Sequence, residues 1–230
     1  MPSHPTSAPA PSVPPRPEER PLHADVRWLA NALGRVIRRL EGDAAFATVD
    51  GIRRACRARR RGEPGAADLR TLLARMEALS PEASARTARA FTLFFLLINT
   101  AEQVHRVRRA VAYRRDEDVE PPAGSVRWTL RRLKERGHDA RTVADAVAGL
   151  SVRPVLTAHP TESTRRTLLA LQARVADLLL RRERAPAVER RALEAALDGE
   201  IELLWLTAEV RTDRPSVMDE VSTVLWYLET

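Results

Sequence analysis

The chain has 230 residues, 44% of them apolar and 30% charged, which is enough to bury a sizeable core in one large domain or two small ones. Nine glycines and an aromatic content of 4% argue against a β-sandwich, a barrel of short strands or a Gly-rich phosphate fold, and favour helices. A net charge of +7 raises nucleic acid as a partner, while the single Cys56 excludes an intrachain disulfide or thiolate cluster and fits a reducing cytosol.

Residues 1–21 carry eight of the sixteen prolines, with Ser, Ala and Thr between them, and are expected to form a disordered or polyproline-like tail. This segment lacks the apolar stretch of a secretory signal. The most apolar run, Phe91 to Ile98, is far shorter than the ~20 residues a spanning helix needs, so the chain reads as soluble and cytoplasmic, without a membrane partner. From Leu22 the pattern is helical. Val26, Leu29, Leu33, Val36, Ile37 and Leu40 recur at helix spacing, with Gly42 as a stop. Shorter helices are expected over about 45–60 and 66–79. Ser80-Pro81-Glu82 supplies a cap, a first-turn proline and a dipole-favoured acid to open a long helix. That helix is apolar all round at Phe91–Ile98, which predicts that neighbours enclose its middle.

Pro121-Pro122 and Gly124 mark a loop, after which Ser125 caps a helix ending near Gly137, and a short helix runs to about Leu150. The region 22–150 therefore reads as an N-terminal helical region. Ser151 to Thr157 is the best strand candidate, although Pro154 counts against it. Helices follow on Leu168, Leu171, Val175 and Leu178, and on Leu193, Leu197, Ile201, Leu204 and Ala208. Arg214-Pro215-Ser216 interrupts the pattern, and a last helix is expected from about Val217. Its apolar face, Val221, Val224, Leu225 and Leu228, stops at Glu229-Thr230 with no Gly, Pro or polar tail, which reads as a truncated chain.

One segment carries chemistry. Thr157-Ala158-His159-Pro160-Thr161-Glu162-Ser163-Thr164-Arg165-Arg166 lies between the candidate strand and a strong helix. Proline biases its predecessor toward extended geometry, so His159 is expected at the carboxyl end of the strand. Thr161 suits an N-cap and Glu162 the first turn. Free N–H groups at such a helix start can bind an anion and keep a nearby imidazole neutral, able to take a proton. Arg165 and Arg166 break a local rule, since a cation near a helix N-terminus costs roughly 0.3–1 kcal/mol when exposed. A phosphate-bearing ligand or a buried carboxylate partner would each account for them. On the residues alone, His159 is either a proton-handling group or a structural histidine at a strand end.

The run Val155 to Glu162, followed by Thr164-Arg165-Arg166-Thr167-Leu168, resembles the histidine signature of the phosphoenolpyruvate carboxylase family. Asn99-Thr100-Ala101-Glu102-Gln103-Val104-His105 is similar to that family's N-terminal helical motif, which usually has an aromatic where Val104 stands. Arg214-Pro215-Ser216-Val217-Met218-Asp219-Glu220 resembles a third motif, with Val217 replacing the usual proline. The likeness runs from about residue 22 to the end. It implies carboxylation of phosphoenolpyruvate by bicarbonate to give oxaloacetate and phosphate, an anaplerotic supply to the tricarboxylic acid cycle. It also implies Mg²⁺ or Mn²⁺ as cofactor, a homotetramer, and an α/β (TIM-type) barrel embedded in many helices. By resemblance His159 would be the catalytic histidine, while Arg165 and Arg166, from their place at the helix start, are candidate substrate-binding residues. The expected fold is thus mainly α, with residues 151–230 beginning the barrel region. The family's Gly-Gly-Asp-Arg-Asp-Gly-Asn-Pro segment, its later Gly/Arg-rich loop and its acidic metal ligands do not occur in these 230 residues. One strand cannot close a barrel, so the chain is expected to be an N-terminal fragment, inactive alone.

His4, His23, His105, His138 and His159 show no paired metal-ligand spacing, and no metal site is expected here. His105, beside Arg106 on a helix, reads as structural. Arg53, Arg54, Arg57, Arg59, Arg60 and Arg61 form the densest basic cluster. Lys134 is the only lysine among 38 basic residues, and such an Arg-rich, Lys-poor composition more often reflects a GC-rich genome than a ligand. As a nucleic-acid patch the cluster lacks interleaved aromatics, and a solvated face or one pairing with acids elsewhere is the commoner reading. Two other functions stand beside the enzyme: a short helical interaction module derived from it, and an Arg-driven nucleic-acid binder.

Overall fold

The computed structural model describes residues 19–115, 120–153, 166–208, 216–219, 221, 222 and 225. Seven helices are assigned: α1 (Arg20–Arg60), α2 (Leu69–Glu77), α3 (Pro81–Arg115), α4 (Val126–Glu135), α5 (Ala140–Ala148), α6 (Arg166–Arg184) and α7 (Ala187–Leu206). The described residues from 217 to 225 are also helical, as the last predicted helix requires. Among the described residues there is no strand. Ser151–Arg153 has no regular structure, and the rest of the candidate strand, 154–157, lies outside the described residues.

The chain forms two compact units, one of residues 1–105 with 164–212 and the other of residues 106–163 with 213–230. In the first unit, apolar stripes of α1, α3, α6 and α7 share one core. Leu29, Leu33 and Val36 from α1 meet Leu93, Leu97 and Val104 from α3, with Leu171, Val175 and Leu179 from α6 and Leu197, Ile201 and Leu204 from α7. The stripe of α6 runs 168, 171, 175, 179, so Leu179 and not Leu178 completes it, as a 3.6-residue period demands. Ala208 lies beyond the end of α7 and is exposed. The run Phe91–Ile98 is not enclosed as expected. Leu93 and Leu97 are buried, but Phe95 on the far side of α3 is 58% exposed.

α6 and α7 form an antiparallel hairpin across Ala185-Pro186, tied by Arg182 to Glu194 at 2.8 Å and Arg174 to Glu200 at 2.9 Å. α7 then runs parallel to the first part of α1. Arg35 pairs with Asp198 at 2.7 Å and Arg39 with Glu202, each pair 163 residues apart in sequence. These arginines are about half exposed, so each pair contributes at most about 1 kcal/mol and serves mainly to fix register.

Gly42 sits where a stop was expected and interrupts the helix there, so the run Arg20–Arg60 is two helices meeting at a kink, as the separate helix expected over about 45–60 requires. The φ of 87° and ψ of 169° at Gly42 are non-helical, and helix resumes on both sides. The bend lets Phe46 fold back: a Cβ on Gly34 would lie 2.9 Å from the Phe46 ring, and the Arg38 guanidinium stacks 3.8 Å from that ring's centre. At the other end, α1 begins at Arg20, earlier than the tail boundary drawn at residue 21. Pro21 occupies the first turn, where its missing N–H has no partner to lose.

The expected caps Ser80 and Ser125 are present, and Asp68 supplies a further one that was not expected. The Ser80 hydroxyl accepts from Ala83 N–H at 3.2 Å, the Ser125 hydroxyl from Trp128 N–H at 3.2 Å, and Asp68 from Thr71 N–H at 2.7 Å. In the second unit Asp139 likewise accepts from Thr142 N–H at 2.8 Å. Neither α4 nor α5 buries a residue, and Val126, Leu130, Val147 and Leu150 are exposed.

Substituting Gly42→Ala should destabilise the chain by about 1–2 kcal/mol, because alanine is strained at positive φ. Gly51→Ala, within helix and with no atom near its added Cβ, should be neutral or stabilising by up to about 1 kcal/mol. Urea unfolding of both variants measures the contrast. The Thr142 backbone N–H, followed by the Thr142 side chain, holds the Asp139 carboxyl below its ordinary value. That contribution is present above the ordinary carboxylate range and is lost as pH falls through the lowered folded value. Asp139→Asn keeps an acceptor but cannot titrate, so its melting temperature should fall less steeply than the parent's on acidification.

Candidate active-site segment and its anchors

The signature histidine, His159, and Arg165 lie outside the described residues, as does the expected cap Thr161. The structure describes both flanks of the signature. Ser151–Arg153 is exposed on the entry side. On the exit side Arg166 is the first residue of α6, partly buried, and two residues later Leu168 enters the core at 3% exposure. Of the three sequence-predicted site residues, then, Arg166 alone is placed, on a helix whose inner stripe is held by the core.

Two polar knots secure that core. Arg182, near the end of α6, reaches Glu194 of α7 at 2.8 Å and lies 3.8 Å from the buried Asp25 of α1, with its guanidinium 5.0 Å from the centre of the Trp28 ring. Glu41, just before the bend of α1, accepts from Trp205 Nε1–H of α7 at 3.1 Å and pairs with Arg86 of α3 at 3.3 Å. Arg89 of α3 stacks 5.4 Å from the Trp205 ring and donates to the Thr207 carbonyl at 2.7 Å, satisfying an acceptor just past the end of α7. Sequence reasoning missed both knots. Each joins residues more than a hundred positions apart, and no local spacing announces such a partner.

The motif on α3 divides by helix face. Thr100, Ala101, Val104 and His105 are buried, whereas Asn99, Glu102 and Gln103 are exposed. The Thr100 hydroxyl donates to Leu96 carbonyl at 2.9 Å, so it is satisfied within its own helix. His105 belongs to the buried face of the first unit, which agrees with its structural reading. In the third motif, Ser216 and Asp219 cap reciprocally. Ser216 N–H donates to Asp219 Oδ2 at 2.9 Å, and Asp219 N–H to Ser216 Oγ at 3.3 Å. The Ser-x-x-Asp spacing of that motif is thus a helix-start device. Arg214 and Pro215 lie outside the described residues, and Glu220 likewise.

The phosphoenolpyruvate carboxylase family profile matches residues 22–230. The chain belongs to the phosphoenolpyruvate carboxylase family. It is 39% identical over 226 residues to the phosphoenolpyruvate carboxylase of Paraburkholderia xenovorans, a match covering 96% of this chain and 22% of that protein. The enzyme of Nitrosomonas europaea is 38% identical over 217 residues, covering 93% and 23% respectively. That of Nocardia farcinica is 37% identical over 213 residues, covering 91% and 22%. The chain therefore spans under a quarter of the length of these curated relatives.

Among the described residues no group of three or more His, Cys, Asp or Glu side chains could hold a metal ion. The described residues do not fit the divalent metal that the family resemblance implies. No described helix is long and apolar enough to cross a membrane.

Trp205→Phe keeps the buried ring but removes the indole donor to Glu41. It should cost about 0.5–1.5 kcal/mol in chemical unfolding, the usual net value of one hydrogen bond. Leu171→Ala, at a position 1% exposed in the α6 stripe, should cost about 2–5 kcal/mol.

Proposed function

We propose that this chain is the N-terminal part of an enzyme that carboxylates phosphoenolpyruvate with bicarbonate, releasing oxaloacetate and phosphate. The observation that carries this reading is the histidine signature, His159 to Arg166, inside a family match that extends over 22–230. That match favours the carboxylase over both a short interaction module and a nucleic-acid binder. It also supports a division in which 151–157 supplies the first strand of a barrel region and 22–150 the helical region before it. The exposed apolar residues of α4 and α5 suit a segment that packs against more protein.

In the proposed reaction bicarbonate oxygen attacks the phosphorus of phosphoenolpyruvate. The bond from phosphorus to the enol oxygen breaks, leaving carboxyphosphate and the enolate of pyruvate. Carboxyphosphate loses carbon dioxide as its proton is removed, and the enolate carbon captures that carbon dioxide. His159 takes the carboxyphosphate proton through its imidazole nitrogen, a task that suits a group titrating near neutrality. Arg165 and Arg166 offer planar forked donors to the substrate's phosphate or carboxylate. Mg²⁺ or Mn²⁺, a homotetrameric assembly and a cytoplasmic location complete the proposal, supported by the family resemblance and not by this chain's residues.

In the complete protein, His159→Asn should abolish oxaloacetate formation while leaving melting behaviour and oligomeric state unchanged. A coupled assay following oxaloacetate reduction reads the loss. Undiminished oxaloacetate formation by the variant would remove His159 from the mechanism.

A further inference from the structure

The end of α1, the turn after it and α2 border an open recess, lined by exposed arginines, that the carboxylase reading does not use. Arg54, Arg57 and Arg61 line it from α1 and its C-cap, Arg75 faces it from α2, and Glu63 is the one carboxylate in its lining. Small residues such as Gly51 and Ala58 form the remaining wall and leave the space open.

Charge within the recess is incompletely matched. Arg54 is paired with Asp50 at 2.9 Å, and Arg61 lies 3.7 Å from Glu63. Among the described residues neither Arg57 nor Arg75 has a carboxylate within ion-pair distance. The C-terminal dipole of α1 accounts for arginines on its own last turn. Arg75 likewise stands in the last turn of α2, so two separate helix ends each favour an arginine and bring them into the same space. The frame is also held before any ligand arrives. Gly62 and Glu63 N–H groups donate to the Arg59 and Ala58 carbonyls at 3.1 and 3.0 Å, and Asp68 caps α2. No aromatic residue lines the recess, so it offers no stacking surface for bases.

We propose that this recess binds a compact polyanion carrying two or more phosphate or carboxylate groups, with Arg57 and Arg75 as its principal contacts. Each guanidinium presents two parallel N–H donors to one anionic group, so two unpaired arginines call for at least two such groups on one molecule. This inference stands independently of the carboxylase proposal, because none of these residues belongs to the signature.

Calorimetric titration of the full 230-residue chain with tripolyphosphate, and separately with citrate, tests it at matched ionic strength, since screening alone would otherwise mimic competition. Saturable binding of either probe is expected, and the tighter probe identifies phosphate or carboxylate as the preferred group. The double variant Arg57→Gln/Arg75→Gln should bind at least about tenfold more weakly, from the loss of charge-assisted hydrogen bonds. A second measurement needs no variant. Phenylglyoxal labelling of the parent chain, read by peptide mass spectrometry, should show the bound probe protecting Arg57 and Arg75 but not Arg136 or Arg191. Absence of saturable binding by both probes, unchanged affinity in the double variant, or uniform protection of all four arginines would each overturn the proposal.

Discussion

Everything described in the first unit depends on burying the inner stripes of α6 and α7 against α1 and α3. Leu171, Val175, Leu197, Ile201 and Leu204 are all at most 1% exposed, and each contributes about 1.5–3 kcal/mol by leaving water. That burial fixes α6 in rotation and height, and α6 begins at Arg166, within the histidine signature. The core thereby determines where the described end of the signature, Arg166 to Leu168, is held.

Polar interactions refine this arrangement without replacing it. The rungs from Arg35 and Arg39 to α7 are half exposed and weak, so they select a register that the apolar stripes already permit. The knot around Glu41 is more constrained, because one carboxylate serves an indole from α7 and a guanidinium from α3 together. It stands one residue before Gly42, so the bend of α1 and the placing of α3 and α7 meet at one point. Phe46 fills the space left by the absent side chain of Gly34, which makes the bend a packed feature.

Most of the helical order was legible in the sequence because it rests on local causes. Ser80 and Ser125 cap within three residues of themselves, and the stripes on α1, α6 and α7 follow a helix period. What escaped was non-local. The run Phe91–Ile98 looked enclosed from its composition, but composition does not say how many neighbours a helix has, and Phe95 has too few. Trp205, which meets Glu41, and Asp25, which meets Arg182, lie far off in sequence from their partners, where spacing carries no signal. For the candidate site the sequence was more informative than the fold. Its signature is a string of residue types, complete in the chain, whereas His159 and Arg165 lie outside the described residues.

Family membership rests on the match over 22–230, and the carboxylase proposal extends it to a chain that spans 22% of its Paraburkholderia relative. The most direct measurement is a chimera in which residues 22–230 replace the matched part of that relative. Oxaloacetate formation from phosphoenolpyruvate and bicarbonate is then assayed on the purified, folded protein. The account predicts an active chimera, because the exchanged segment carries the signature and the core that anchors it. A chimera that folds and assembles like its parent but forms no oxaloacetate would contradict it.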